Sequence, residues 1–349
     1  TNHGSGPAFV LPIADLQTPQ AYHWSLNLEQ ELPGNSVVSL AYVGTRGQRL
    51  LRFATPNLGR NVVPTALEVI AYASANEPAF LGTTVPPGPQ VINTGSRLTT
   101  AGRPFPLLGS FTAIESDTNS SYHSLQIRWN RSYARGIQWT SSYAWSHAID
   151  EVSDLFDLAG SSALPQNGQN LRGERGSASF DVRHRFTASA IWDLPWRKAN
   201  PVLGKWRVAS IVTAQTGQPF TIFAPFDMNL DGNLTDRLNG RSGFEEVQSG
   251  PDQFRFDSPL TQLAPIGQPG SEGRNTFRSR GIATVDLAVS KQFQITERHT
   301  LECRGEFFNL FNRTHFGMPV NQVDFPGFGG STSTRVPARV IQLALRVSF

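Results

Sequence analysis

Asp227, Asn229, Asp231, Gly232, Asn233 and Asp236 spell D-x-N-x-D-G-N-x-x-D. Side-chain oxygens at alternate positions around a glycine turn are what a calcium loop needs, because the ion takes roughly six to eight hard oxygen ligands. Such a loop supplies a bidentate Glu at its twelfth position; here that residue is Leu238, so Asp236 or another loop would complete the set. The spacing makes calcium the candidate cofactor, with Asp227, Asn229, Asp231, Asn233 and Asp236 as its ligands. An Asx-rich turn without metal accounts for the same residues. In either case the chemistry is that of stiffening a loop.

A second cluster, His147, Asp150, Glu151, Asp154 and Asp157, has spacings that would set several carboxylates on one side of a short helix and attract a cationic or metal-bearing ligand. A solvated acidic loop is the plainer reading. Catalytic patterns are missing from the sequence: it holds no G-x-S-x-G elbow, no H-E-x-x-H, no phosphate-cradling G-x-x-x-x-G-K-[ST] and no strand-linked G-x-G-x-x-G. The seven His are scattered, and the adjacent Glu245 and Glu246 would point apart in extended chain. The expectation is that the protein is not an enzyme.

Composition narrows what could carry these residues. Charged residues make up 16% of the 349, below the roughly 25% usual for soluble domains, while Gly (31) and Pro (24) run high. That mixture indicates many strands and turns. The most apolar stretches, such as 37–43, are far shorter than the roughly 18 to 20 residues of a membrane-spanning helix, which excludes a helical membrane protein. A single cysteine, Cys303, excludes a disulfide framework and multi-cysteine metal sites. The net charge of +3 comes without any Lys/Arg run, so no nucleic-acid partner is expected. The chain opens on Thr1-Asn2-His3 with no charged and apolar leader, and is expected to be a piece of something longer.

Period-two alternation runs through the chain. Ile341, Leu343, Leu345, Val347 and Phe349 alternate with Gln342, Ala344, Arg346 and Ser348. In 299–311, Leu301, Cys303, Phe307 and Phe311 oppose Thr300, Glu302, Arg304 and Glu306; in 281–293, Ala283, Val285, Leu287, Val289 and Phe293 oppose Thr284, Asp286, Ser290 and Gln292. The same holds around Phe186–Leu194, Leu125–Trp129 and Trp24–Leu28, with less regular members at 137–147, 206–214 and 36–43. About nine strands of 8 to 14 residues result, the length of tilted membrane-crossing strands (roughly 9 to 11) rather than of soluble ones.

The connections alternate in length. Short ones follow Leu32, Asn130, Leu194 and Phe293; long ones follow Val43, His147, Ala214 and Asn312, which puts every long loop at one end. That is the arrangement of an outer-membrane barrel with its long loops outside the cell. Tyr22, Trp24, Tyr42, Tyr122, Trp129, Trp139, Tyr143, Trp145, Trp192, Trp196 and Trp206 lie near strand ends, where amphipathic rings form interfacial girdles. Glu29, Arg128, Arg185, Asp193, Asp286, Glu302, Arg304, Glu306 and Arg346 would face the lumen. Nine is odd, so the expected fold is an all-β, antiparallel transmembrane β-barrel segment, about nine strands of a larger barrel and incomplete alone, with long extracellular loops.

Glu306-Phe307-Phe308-Asn309-Leu310-Phe311-Asn312, with a last strand ending Arg346-Val347-Ser348-Phe349, resembles the carboxy-terminal end of a TonB-dependent outer-membrane receptor. Residues 41–47 (AYVGTRG), 121–126 (SYHSLQ) and 227–233 (DMNLDGN) resemble the Oar-like receptors, whose amino-terminal part often carries a carboxypeptidase-regulatory-like domain. The resemblance implies a 22-stranded barrel, a plug inside it and energy from the inner membrane through TonB. Residues 1–349 would be the carboxy-terminal part of that barrel, with plug and amino-terminal domains outside them. The terminal Phe349 resembles the signal read by the barrel-assembly machinery. The implied partners are outer-membrane lipid, that machinery, the TonB system through the upstream parts, and an extracellular ligand. Two rivals stay open: an outer-membrane adhesion or structural protein without transport, and a secreted carbohydrate-binding β-sandwich whose apolar faces pack inward.

Overall fold

The computed structural model describes residues 10–55, 112–154, 164–168, 170–196, 202–225, 228–229, 235–265 and 268–349. Nine long strands carry it: β1 (Gln20–Leu32), β2 (Ser36–Ala54), β3 (Thr112–Ala134), β4 (Ile137–Asp150), β5 (His184–Asp193), β6 (Trp206–Gln215), β7 (Ile282–Gln294), β8 (Thr300–Phe308) and β9 (Val340–Ser348). Each pairs antiparallel with its chain neighbour, so the sheet runs from β1 to β9 in sequence order. Two short strands join off this path: Val10–Pro12 runs parallel to the start of β3, and Gly176–Ser177 pairs with the end of β4. The only helices among the described residues are the single 3-10 turns Leu171–Glu174 and Pro259–Gln262.

Register explains why the alternation works. The row Leu28, Leu40, Ile127, Tyr143, Phe186, Ala214 and Ala283 crosses seven strands on one face. One residue along, the row Glu29, Ser39, Arg128, Ser142, Thr187, Thr213 and Thr284 crosses the same strands on the other. A one-residue slip at any strand would exchange the two faces, so the pattern specifies the pairing throughout. The apolar face is exposed rather than packed on a second sheet: Leu28 is 60% and Leu343 83% accessible. Moving such side chains from water into hydrocarbon stabilises by about 1.5 to 3 kcal/mol each, which is how a single-layer sheet is held. At about 3.3 Å per residue even the nine-residue β8 and β9 span about 30 Å.

Turn chemistry follows the same logic. β3 and β4 are joined by Arg135 and Gly136, both at positive φ (54° and 82°), the primed geometry that matches strand twist. Gly44 lies directly opposite Trp24, whose ring covers it so closely that a Cβ would fall 2.2 Å from the indole.

Several expectations shift. β2 and β3 run past residue 43 and start at Thr112, making a hairpin of 19 and 23 residues that rises beyond the rest of the wall. Residues 112–115 are the upper end of β3, and 107–111 lie outside the described residues. The short connection expected directly after Asn130 is only the two residues 135–136, because β3 continues to Ala134. Tyr122 pairs with Thr45 and Ala148 on the polar face, outside the girdle, and Phe311 falls in the turn after β8. His147 and Asp150 belong to β4 and Glu151 and Asp154 to the irregular chain after it, so the acidic cluster forms no helix; the strand's long-range pairing overrides local spacing. Asp157 lies outside the described residues.

Candidate functional site

All four short connections, 33–35, 135–136, 194–205 and 295–299, lie at one end of the sheet, and the long ones at the other. There the described residues of 216–281, together with 309–339, fold into a head with its own apolar centre. Phe220, Ile222, Leu238, Phe254 and Phe277 are buried together, flanked by Phe244, Phe256, Val323 and Phe328. The rings contact one another at centroid distances of 4.7 to 5.8 Å. Two small sheets frame this core, Phe244–Glu246 with Phe254–Phe256 and Pro219–Phe220 with Phe277–Arg278. Bridges at Phe223–Gln322 and Asp252–Gly330 tie in the second loop.

A buried ionic seam fastens the head to the wall and to residues 164–183. Arg237 meets Glu174 at 2.9 Å, both nearly inaccessible, and donates from its backbone N and Nε to the Gln166 amide oxygen at 2.7 and 3.0 Å. Arg274 pairs with Asp150 at the top of β4 and donates to the Glu174 carbonyl at 2.7 Å. Asp181 takes Arg278 (2.5 Å), Arg183 (3.0 Å) and the Ala148 backbone N–H (2.8 Å). Burial pushes the Arg237 pKa down, and Glu174 opposes that shift. The cations on 235–278 thus meet carboxylates on 150–181, and removing either partner of a buried pair would leave an uncompensated charge.

The two Asn of Glu306–Asn312 close the base of the second loop. Asn309 and Asn312 sit at positive φ (50° and 49°), which Asn tolerates. Asn309 donates to the Arg313 and Pro337 carbonyls at 3.0 and 3.1 Å, and Asn312 accepts from the Arg339 N–H at 2.9 Å. On the rising hairpin, Arg52 is buried between Glu115 and Asp117.

The predicted site residues divide. Asp236 is buried, and its Oδ2 accepts the backbone N–H groups of Met228 and Asn229, eight and seven residues earlier, at 2.6 and 3.2 Å, which closes the loop on itself. Asn229 donates to the Gln166 carbonyl at 2.6 Å. Asp227, Asp231 and Asn233 lie outside the described residues. Among the described residues no three His, Cys, Asp or Glu side chains come together as a metal set. Phe349 follows β9 on its apolar face, 95% accessible.

The nine charges expected on one face share it, and some pair along the wall. Asp193 binds Arg207 at 2.5 Å and accepts from Tyr133 Oη; Arg304 meets Glu306 at 2.5 Å. Arg128, Arg185 and Arg346 make no ion pair among the described residues. The aromatic head core and the Gln166–Glu174–Arg237 seam are not legible in the sequence, because their members lie tens of residues apart with no period.

A family model described as outer membrane beta barrel domain matches residues 1–342. Among solved structures, the outer membrane transporter YddB from Escherichia coli is 10% identical at a TM-score of 0.50, with 99% of this chain and 34% of that one covered. The pyoverdine outer membrane receptor FpvA from Pseudomonas aeruginosa PAO1 is 12% identical at 0.45, covering 96% and 30%. BauA, the ferric preacinetobactin receptor from Acinetobacter baumannii, is 9% identical at 0.42, covering 94% and 29%. The chain spans about a third of the length of these structures, and at such identities the first likeness speaks for the fold alone. No curated protein matches the sequence significantly.

Proposed function

This chain belongs to the outer membrane β-barrel domain family, and from that premise we propose that it is the carboxy-terminal part of the barrel of a TonB-dependent receptor, of the Oar-like kind. In this reading the loop head captures an extracellular ligand, which then passes inward beside a plug supplied by other parts of the protein. The observation that carries it is the pairing of a continuous polar row on the inner face with a braced head above it. A lipid-facing wall alone would need neither. Arg128, Arg185 and Arg346, which make no ion pair among the described residues, would be costly in hydrocarbon and are accommodated beside water or a plug.

The test is genetic. Deleting the gene and deleting the host's TonB should give the same nutrient-limited growth defect, with no further loss in the double deletion. An attachment defect that persists unchanged in the absence of TonB would instead make the protein an adhesin. Phe349 is read as the assembly signal for the barrel-assembly machinery. The loop 227–236 is read as a calcium loop that stiffens the head, for which calorimetry of the full-length protein should register heat at millimolar calcium; a flat trace leaves a loop without metal.

A further inference from the structure

Lys291 stands on β7 in the alternation of Val285, Leu287 and Val289, the face that lipid covers, about 10 Å from the strand's end at Gln294. A lysine on that face is costly unless its charge is taken up. Here it is 6% accessible, because residues 202–205, the end of the connection into β6, fold back over it. Its ammonium donates to the carbonyls of Val202 and Gly204, the latter at 3.1 Å, and lies 4.9 and 5.0 Å from the ring centres of Trp206 and Phe293 on the same face.

The sheet supplies the turn's remaining donors as well. Trp206 Nε1 donates to the Val202 carbonyl at 3.1 Å, and the Gln292 backbone N–H to the Lys205 carbonyl at 3.2 Å. The carbonyls of 202, 204 and 205 are thus met without water, which is the condition for irregular backbone to lie at membrane depth. The side chains of Val202 and Leu203 are left outside, 69% and 46% accessible. The neighbouring short turn 295–299 is built the other way: Thr296 Oγ1 accepts the backbone N–H groups of Arg298 and His299, and Glu297 and Arg298 are exposed at its tip. That turn suits water, and 202–205 does not.

We propose that 202–205 is a membrane anchor, folded onto the lipid face with Val202 and Leu203 among the acyl chains of the periplasmic leaflet and Lys291 as the positioning residue that pins it there. Its occupant is phospholipid, because the patch continues the face that lipid already covers and its polar atoms are spent on the sheet. The inference rests on the lipid-facing assignment of the wall and is independent of what the receptor carries.

The test is site-directed fluorescence on the full-length protein, with Cys303 and any other cysteine replaced, in vesicles of phosphatidylethanolamine and phosphatidylglycerol. An environment-sensitive label is placed singly by Val202→Cys, Glu297→Cys or Leu343→Cys. The labels at 202 and 343 should emit to the blue and be quenched by nitroxides on the acyl chains, while the label at 297 should be quenched by aqueous iodide. Lys291→Met should shift the 202 label towards iodide with the barrel still assembled, and Lys291→Arg should restore the lipid signal. Iodide quenching at 202 equal to that at 297 overturns the anchor, and a 202 label reached by neither quencher is covered by protein and overturns it too. An unchanged 202 signal in Lys291→Met overturns the role of Lys291. Iodide quenching at 343 would overturn the lipid face itself, a failure distinguishable from that of the anchor alone. Val202 is exposed, so its label remains decisive should Lys291→Met fail to assemble.

Discussion

The wall and the head of this molecule are held by opposite means. In the wall, large apolar side chains such as Leu343 and Leu345 are exposed on one face, and polar groups line the other. In the head, Phe220, Phe254 and Phe277 are buried together, and Arg237 and Arg274 are buried against Glu174 and Asp150 across the seam. The wall leaves its stabilisation to a solvent, lipid, whereas the head makes its own interior. The difference teaches that, among the described residues, a soluble-type core forms in the loops beyond the sheet and not along the wall.

Substitutions should therefore act region by region. Phe277→Ala, which empties the centre of the aromatic cluster, should cost the head about 3 to 5 kcal/mol. Protease sensitivity at 216–281 should rise while the wall keeps its strand content by circular dichroism; joint unfolding of both would break the distinction. Val212→Arg on the lipid face should cost about 2 to 4 kcal/mol if it sits near mid-membrane, and Thr213→Arg on the other face far less. Comparing their midpoints for denaturant unfolding in lipid checks this, and equal costs would mean the faces are misassigned.

The smallest effect is a pH dependence. Burial pushes the His315 pKa below that of a free imidazole, against the Ala283 carbonyl, and Arg313 pushes the same way. The unfolded chain takes up this proton near about pH 6.5, the folded one only at lower pH. Its contribution is complete above that value and declines as pH falls through the window beneath it. Melting of the head at about pH 7.5 and about pH 5.5 should show that loss, and His315→Phe should flatten the difference.

Nine strands, their faces and the segregation of loop lengths could be read from the residues because period-two alternation is local. What could not be read depends on partners distant in sequence. The helical spacing at 147–157 is overridden because His147 and Ile149 pair with β3 residues some 25 positions earlier. The hairpin's extra height follows from pairing of Leu50–Ala54 with Ala113–Thr118, across a bulge that interrupts the alternation. Asn309 and Asn312 were visible as part of a family resemblance, but their work as left-handed closures depends on φ and on carbonyls across the loop.

The seam also has a mechanical consequence. Gln322 bridges to Phe223, Asn321 Nδ2 donates to the Thr221 carbonyl at 2.6 Å, Thr221 meets Asn275 at 3.1 Å, and neighbouring Arg274 grips Asp150. The two loops are thereby tied to each other and to the rim of the wall through a continuous run of contacts, so displacing one of them would break bonds made by the other.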